Sequence, residues 1–145
     1  VIVASSVRVV AGNEGEGLFF AALAELTPHR GGRALLVDLM RTEHVQNEVE
    51  LYLCLVKEQR LVAYFEDNEL VGCVAVSGDD QHWFIAGIFV LELHRRSGYG
   101  SALMAHCRAT WPDLKDAWAL PGDGPTKSLY ESMGWKARQL TMSAE

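Results

Sequence analysis

Cysteine is scarce here and shows no pairing pattern. Cys54, Cys73 and Cys107 are odd in number, scattered, and set among apolar neighbours. That excludes a disulfide framework and predicts reduced core thiols in an intracellular protein. There is no C-x-x-C, no H-E-x-x-H and no other ligand spacing among five dispersed histidines, so no bound metal is expected. No apolar run approaches the roughly 18 residues of a membrane span. The opening Val1-Ile2-Val3-Ala4 lacks the basic flank and the length of a secretory signal, which sets a cytoplasmic expectation. Basic residues are in the minority, 13 Lys and Arg against 19 Asp and Glu, for a formal net charge of −6. A surface of that sign argues against sequence-general nucleic-acid binding, which needs phosphates neutralised. Prolines number four, and no low-complexity linker or internal repeat interrupts the 145 residues. The chain reads as one domain over residues 1–145, long enough to bury a core.

What is present concentrates in one stretch, Arg95-Arg96-Ser97-Gly98-Tyr99-Gly100-Ser101-Ala102-Leu103-Met104. It follows an apolar run, residues 83–90, that reads as a buried strand, and it opens a helix predicted to reach about Thr110 and stop before Pro112. Two glycines two apart let the backbone turn tightly and leave its N–H groups uncovered. At a helix N-terminus those groups, with the helix dipole, favour an anion. His94-Arg95-Arg96 is the one tight basic group of the chain and stands just ahead of the turn. Arg95, Arg96, Ser97, Gly98, Tyr99, Gly100 and Ser101 therefore form a candidate pyrophosphate cradle.

The spacing Arg-x-x-Gly-x-Gly after a strand, with an aliphatic helix behind it, resembles motif A of the GNAT N-acetyltransferase superfamily. About thirty residues later Asp123-Gly124-Pro125-Thr126-Lys127-Ser128-Leu129-Tyr130-Glu131-Ser132-Met133-Gly134-Trp135 is similar to that family's C-terminal signature, N-x-x-A-x-x-L-Y-x-x-x-G-F. The resemblance covers roughly residues 61–142. It implies acetyl-CoA as co-substrate, no metal, and a primary amine of a small molecule or peptide as acceptor. It also implies that the pantetheine arm lies along Ile88, Phe89 and Val90, with a backbone N–H near Phe89 or Val90 polarising the thioester carbonyl. Tyr130 aligns with the tyrosine that many members use as general acid toward the CoA thiolate. Asp123 stands where asparagine is common, Thr126 where alanine is, and Glu92 where proline is. Many proteins of this fold pair through the late strands, which makes a homodimer the default expectation.

The order of elements is expected to be β, helices, βββ, α, β, α, β. A first strand over residues 6–11 precedes a helix from Glu14 to about Leu26, capped by Asn13. Helical spacing over residues 35–56 predicts one long helix or two with a break near Arg41-Thr42. Residues 60–66, 69–77 and 81–91 read as a meander with turns at Asp67-Asn68 and Gly78-Asp79-Asp80, and Gly87 marks a bulge. A strand over residues 115–120, a helix from Pro125 to Met133 stopped by Gly134, and a strand over residues 135–142 complete the chain. The fold class is α/β: a single-domain GNAT arrangement with a mixed central sheet, an antiparallel N-terminal meander, a parallel pair around the CoA site, and helices on both faces.

Transfer of an acyl group from a thioester to an amine needs a held thioester, a neutral amine, donors for the oxyanion, and a proton for the departing thiolate. A phenol of reference pKa about 10 is protonated at neutral pH, which suits Tyr130 to the last task. Tyr130 also belongs to an ordinary apolar stripe with Thr126, Leu129 and Met133. For the base, some family members use a glutamate on the strand before the loop, but the corresponding position here is near Phe84. Glu92 is the assigned base candidate, with Glu66, Asp67 and His82 beside it. Two other readings compete. One is a non-catalytic acyl-CoA sensor on the same fold. The other is a dinucleotide-binding domain, disfavoured because Leu103 occupies the third glycine position of that fingerprint.

Overall fold

The computed structural model describes residues 5–28, 31–95, 97–118, 124–132 and 134. The elements are β1 (Ser5–Val9), α1 (Glu16–Leu26), α2 (Gly32–Thr42), α3 (Glu48–Lys57), β2 (Leu61–Glu66), β3 (Glu69–Asp79), β4 (His82–Val90), a short 3₁₀ turn (Glu92–His94), α4 (Tyr99–Thr110), β5 (Asp116–Ala117) and α5 (Gly124–Ser132). The sheet runs β1-β2-β3-β4-β5. Its first three pairings are antiparallel and the β4–β5 pairing is parallel. This is the mixed sheet the sequence predicts.

Strand alternation sends side chains to two cores. Ala63, Phe65, Cys73, Phe84 and Ala86 face α1, α2 and α3. Val62, Val74, Val76, Ile85 and the buried residues of α4 and α5, Leu103, Met104, Cys107 and Tyr130, fill the other side. With both faces covered, the central strands are apolar at nearly every position. Burial pushes the Cys73 and Cys107 thiols up to about 12, so both are protonated packing groups.

Several boundaries differ from expectation, each for a physical reason. Asn13 does not cap α1: the N-cap is Gly15, which makes no side-chain cap. The entry is held instead by the buried Tyr52 hydroxyl, which donates to Gly12 O at 2.8 Å and accepts from Gly15 N at 3.1 Å. The helical break falls at residues 43–47 rather than at Arg41-Thr42, because Asn47 caps α3 by accepting from Glu50 N at 2.9 Å. β3 continues through Gly78 to Asp79, and the Asp79 carboxylate accepts from Gln81 N and His82 N to close the turn. The turn at Asp67-Asn68 is as expected, both residues having positive φ. The bulge is also present: Ala75 pairs with Gly87 while Val76 pairs with Ile85, so Ala86 is the extra residue. The expected strand over residues 135–142 lies outside the described residues.

Candidate active site

The parallel pairing is brief. Phe84 and Ile85 of β4 pair with Asp116 and Ala117 of β5, and Trp118 N donates to Ile85 O at 2.9 Å. Among the described residues no further β4–β5 bond follows. The fork comes where the bulge at Ala86 turns β4, and from Gly87 to Val90 the strand pairs, among the described residues, with β3 alone. Leu91 N donates to Val71 O at 2.9 Å, which fixes the alternation of backbone groups. Gly87 and Phe89 direct their N–H and C=O groups toward β3; Ile88 and Val90 direct theirs toward the opening. Of the two donors expected, Phe89 N–H is therefore committed to the sheet and Val90 N–H faces the gap. The Phe89 side chain packs on the α1–α3 side.

At the far end of the opening stands the N-terminus of α4. Gly98 is its N-cap in the left-handed region, φ 86°, with no side-chain cap. Ala102 N, bonded to Gly98 O at 3.0 Å, makes the first helical bond. The N–H groups of Tyr99, Gly100 and Ser101 precede it and have no place in the helical ladder. A Cβ on Gly98 would meet nothing within 4 Å, so the space above the turn is open. Gly100 serves differently: a Cβ there would come within 3.1 Å of Leu129 Cδ2, so this glycine lets α4 and α5 pack closely. Three uncovered N–H groups over open space at a helix N-terminus suit a pyrophosphate.

The basic side chains do not all turn toward that space. Arg95 Nε donates to Val90 O at 2.8 Å, its Nη2 lies 3.1 Å and 3.3 Å from the Glu25 carboxylate oxygens of α1, and its guanidinium sits 5.4 Å from the Phe89 ring centroid. His94 Nδ1 is 3.9 Å from Glu66 Oε2. Tyr99 donates its hydroxyl to the same carboxylate, and that hydrogen bond pushes the phenol up to about 12. Glu66 thereby ties the first residue of α4 to the end of β2. Arg96 lies outside the described residues, as does Asp123.

Tyr130 lies at the fork. Its side chain is buried, 6% exposed, and its hydroxyl donates to Trp118 O at 3.5 Å. Trp118 is the residue whose N–H bonds Ile85 O across β4 and β5, and its ring stacks on Phe84 at 4.4 Å. Tyr130 and the α4 cradle thus bracket the unpaired edge of β4, separated by about 15 Å of strand at ~3.3 Å per residue.

The base candidates do not gather there. Glu92 is exposed on the 3₁₀ turn beyond Val90, at the cradle end of β4, and the structure does not bring it to Tyr130. It lies two residues past the strand, at the end of β4 away from the fork. Glu66 is engaged by Tyr99, and Asp67 is in the hairpin turn. His82 starts β4 with Nε2 2.8 Å from Asp116 Oδ2, both side chains 59% exposed, three residues ahead of the fork. Glu25 is the carboxylate that sequence reasoning missed, since nothing in helix α1 signals a partner seventy residues away. Glu43, Cys54 and Glu58 place ligand atoms within 4.8 Å of one another, but the Arg60 guanidinium already occupies the centre of that group.

Residues 23–135 match the model of the Acetyltransferase (GNAT) family. No curated protein matches the chain in sequence. Among solved structures, an aminoglycoside acetyltransferase, HMB0005, from an uncultured soil metagenomic sample is 19% identical, covers 98% of each chain and superposes with a TM-score of 0.60. Arabidopsis thaliana NAA60 in complex with a bisubstrate analogue is 15% identical over 94% of this chain and 86% of its own, with a TM-score of 0.66. AAC(6')-Iy in complex with the bisubstrate analogue CoA-S-monomethyl-acetylneamine is 16% identical over 98% and 97%, with a TM-score of 0.61. At these identities the likeness concerns the fold.

Proposed function

The chain belongs to the GNAT acetyltransferase family and is by that membership an acyltransferase, and on that premise we propose that it transfers an acetyl group from acetyl-CoA to a primary amine of a small molecule or peptide, by direct attack within a ternary complex. The observation that carries this reading is the edge of β4 that is unpaired among the described residues, with a helix N-terminus at one end and a buried phenol at the other. Acetyl-CoA supplies the activated acyl group as a thioester. The N–H groups of Tyr99, Gly100 and Ser101 are assigned to its pyrophosphate, with Ser97 and Gly98 shaping the turn. Ile88 and Val90, whose backbone groups face the opening, are assigned to the pantetheine arm as an added strand. Val90 lies at the cradle end of that edge and Ile88 nearer the fork. Tyr130 is assigned to protonate the departing thiolate at the fork. Residues 1–145 are read as one domain carrying both substrate sites. An aminoglycoside acetyltransferase and two bisubstrate-analogue complexes among the structural neighbours support an amine acceptor.

The test is thiol release from acetyl-CoA over a panel of polyamines, aminoglycosides, lysine and peptide N-termini, with Gly98→Asp and Tyr130→Phe alongside. Turnover that depends on both residues is the expected result. Cofactor binding that Gly98→Asp abolishes, with no turnover on any amine, would favour the acyl-CoA sensor instead.

A further inference from the structure

Arg95 holds two positions that the cofactor also claims. The chain position of Arg95, three residues before Gly98, assigns it to the phosphate end. Yet its Nε donates to Val90 O at 2.8 Å, and that oxygen is one of the edge groups facing the opening. An arm pairing with β4 as an added strand needs the same oxygen as its acceptor and the same space beside it. What holds the guanidinium there is Glu25, at 3.1 Å and 3.3 Å from Nη2. The Phe89 ring beneath it, 5.4 Å from the guanidinium carbon to the ring centroid, adds a cation–π contact. Glu25 sits in the last turn of α1, where a carboxylate gains nothing from the helix dipole. Among the described residues its ion-pair partner is Arg95.

We propose that Glu25 is a positioning residue of the cofactor site: it holds Arg95 across the open edge of β4 in the cofactor-free protein, and acetyl-CoA must displace that guanidinium before its pantetheine arm pairs with Val90. This rests on the cofactor reading above and adds its control. The pair is solvent-exposed, 41% and 50% for the two side chains. A contact of that kind is weak and opens readily, so it tunes affinity and does not shut the site. Its removal is expected to change cofactor affinity a few-fold, up to about fivefold.

Calorimetric titration with acetyl-CoA of the wild type, Glu25→Gln, Arg95→Ala and the double variant tests this. Glu25→Gln is expected to tighten binding up to about fivefold. In the Arg95→Ala background the same substitution is expected to do nothing, since the held group is gone. Equal tightening in both backgrounds would overturn the proposal, because it would reflect only the carboxylate's repulsion of an anionic cofactor. No tightening in either would overturn it as well. A wild type that does not bind acetyl-CoA would sink the cofactor site itself, and this inference with it. Independently, the Arg95 Nε–H resonance is expected to shift when acetyl-CoA saturates the protein, and an unmoved resonance would contradict displacement.

Discussion

Two arginine–glutamate pairs stand at opposite ends of the central strands, and they are built for opposite purposes. Arg60 and Glu43 meet at the sealed end, where β2 begins and β3 ends. Both side chains are 5% exposed, with bonds of 2.5 Å and 2.6 Å between them. Arg60 also donates to Val76 O at 3.0 Å and bonds Glu58, while Ser77 donates to Glu43. Among the described residues no fully buried side-chain polar atom lacks a partner, which makes a buried charge tolerable. Arg95 and Glu25 meet at the open end, half exposed, over a strand edge whose groups remain available to a ligand. The same chemistry is a fixed lock where water is excluded and a displaceable contact where it is not.

The largest expected effect breaks the lock. Glu43→Ala leaves Arg60 charged and buried, at a cost of about 3–5 kcal/mol. Thermal unfolding should show a midpoint lower by on the order of 10 °C. The pair also sets an acid limit. Burial alone would raise the Glu43 carboxyl, but the bonds from Arg60 and Ser77 outweigh it and hold the group below its ordinary value. A depressed folded value means the stabilisation is complete above the unfolded carboxylate range, about 4.3, and is lost as pH falls through the folded value. The gap in melting temperature between wild type and Glu43→Ala is therefore expected to narrow as pH drops below about 4. A gap that widened would place the stabilisation elsewhere.

Effects at the open end are smaller and fall on activity. Tyr130→Phe removes the phenol proposed above as the proton donor and is expected to lower kcat about 100-fold, with acetyl-CoA affinity little changed. A variant with undiminished kcat would reduce Tyr130 to a core residue. Gly98→Asp puts a carboxylate into the open space above the turn, in the path of the phosphates. Hydrogen bonds to charged groups are worth about 1.5–3 kcal/mol each, so loss of one or two weakens acetyl-CoA binding about 10- to 100-fold. Melting curves of this variant serve as the check that the protein still folds.

Which parts the sequence made legible follows from the range of each interaction. The meander, its Asp67-Asn68 turn, the bulge near Gly87, the helix opening at Gly98-x-Gly100 and its end before Pro112 were all readable, because each depends on residues within a few positions. The Tyr52 clamp on Gly12 and Gly15, the Glu25 contact with Arg95, and the role of Gly100 against Leu129 were not. Each joins elements far apart in the chain, and no local pattern announces the partner. The place of Glu92 was not legible for the complementary reason. It is adjacent in sequence to the cradle, but β4 carries it away from the fork where the amine is expected to be attacked. The alternation that commits Phe89 N–H to β3 likewise depends on strand register, which one hydrogen bond from Leu91 to Val71 decides.

The central claim is that the unpaired edge of β4 and the first turn of α4 form one cofactor surface. Residue-resolved amide hydrogen exchange, with and without acetyl-CoA, tests it most directly. Acetyl-CoA is expected to protect the amides of Ile88, Val90, Tyr99, Gly100 and Ser101, while Phe89, already facing β3, is unchanged. Protection that appears elsewhere, or that spares Ile88 and Val90 while the protein is saturated, would contradict it.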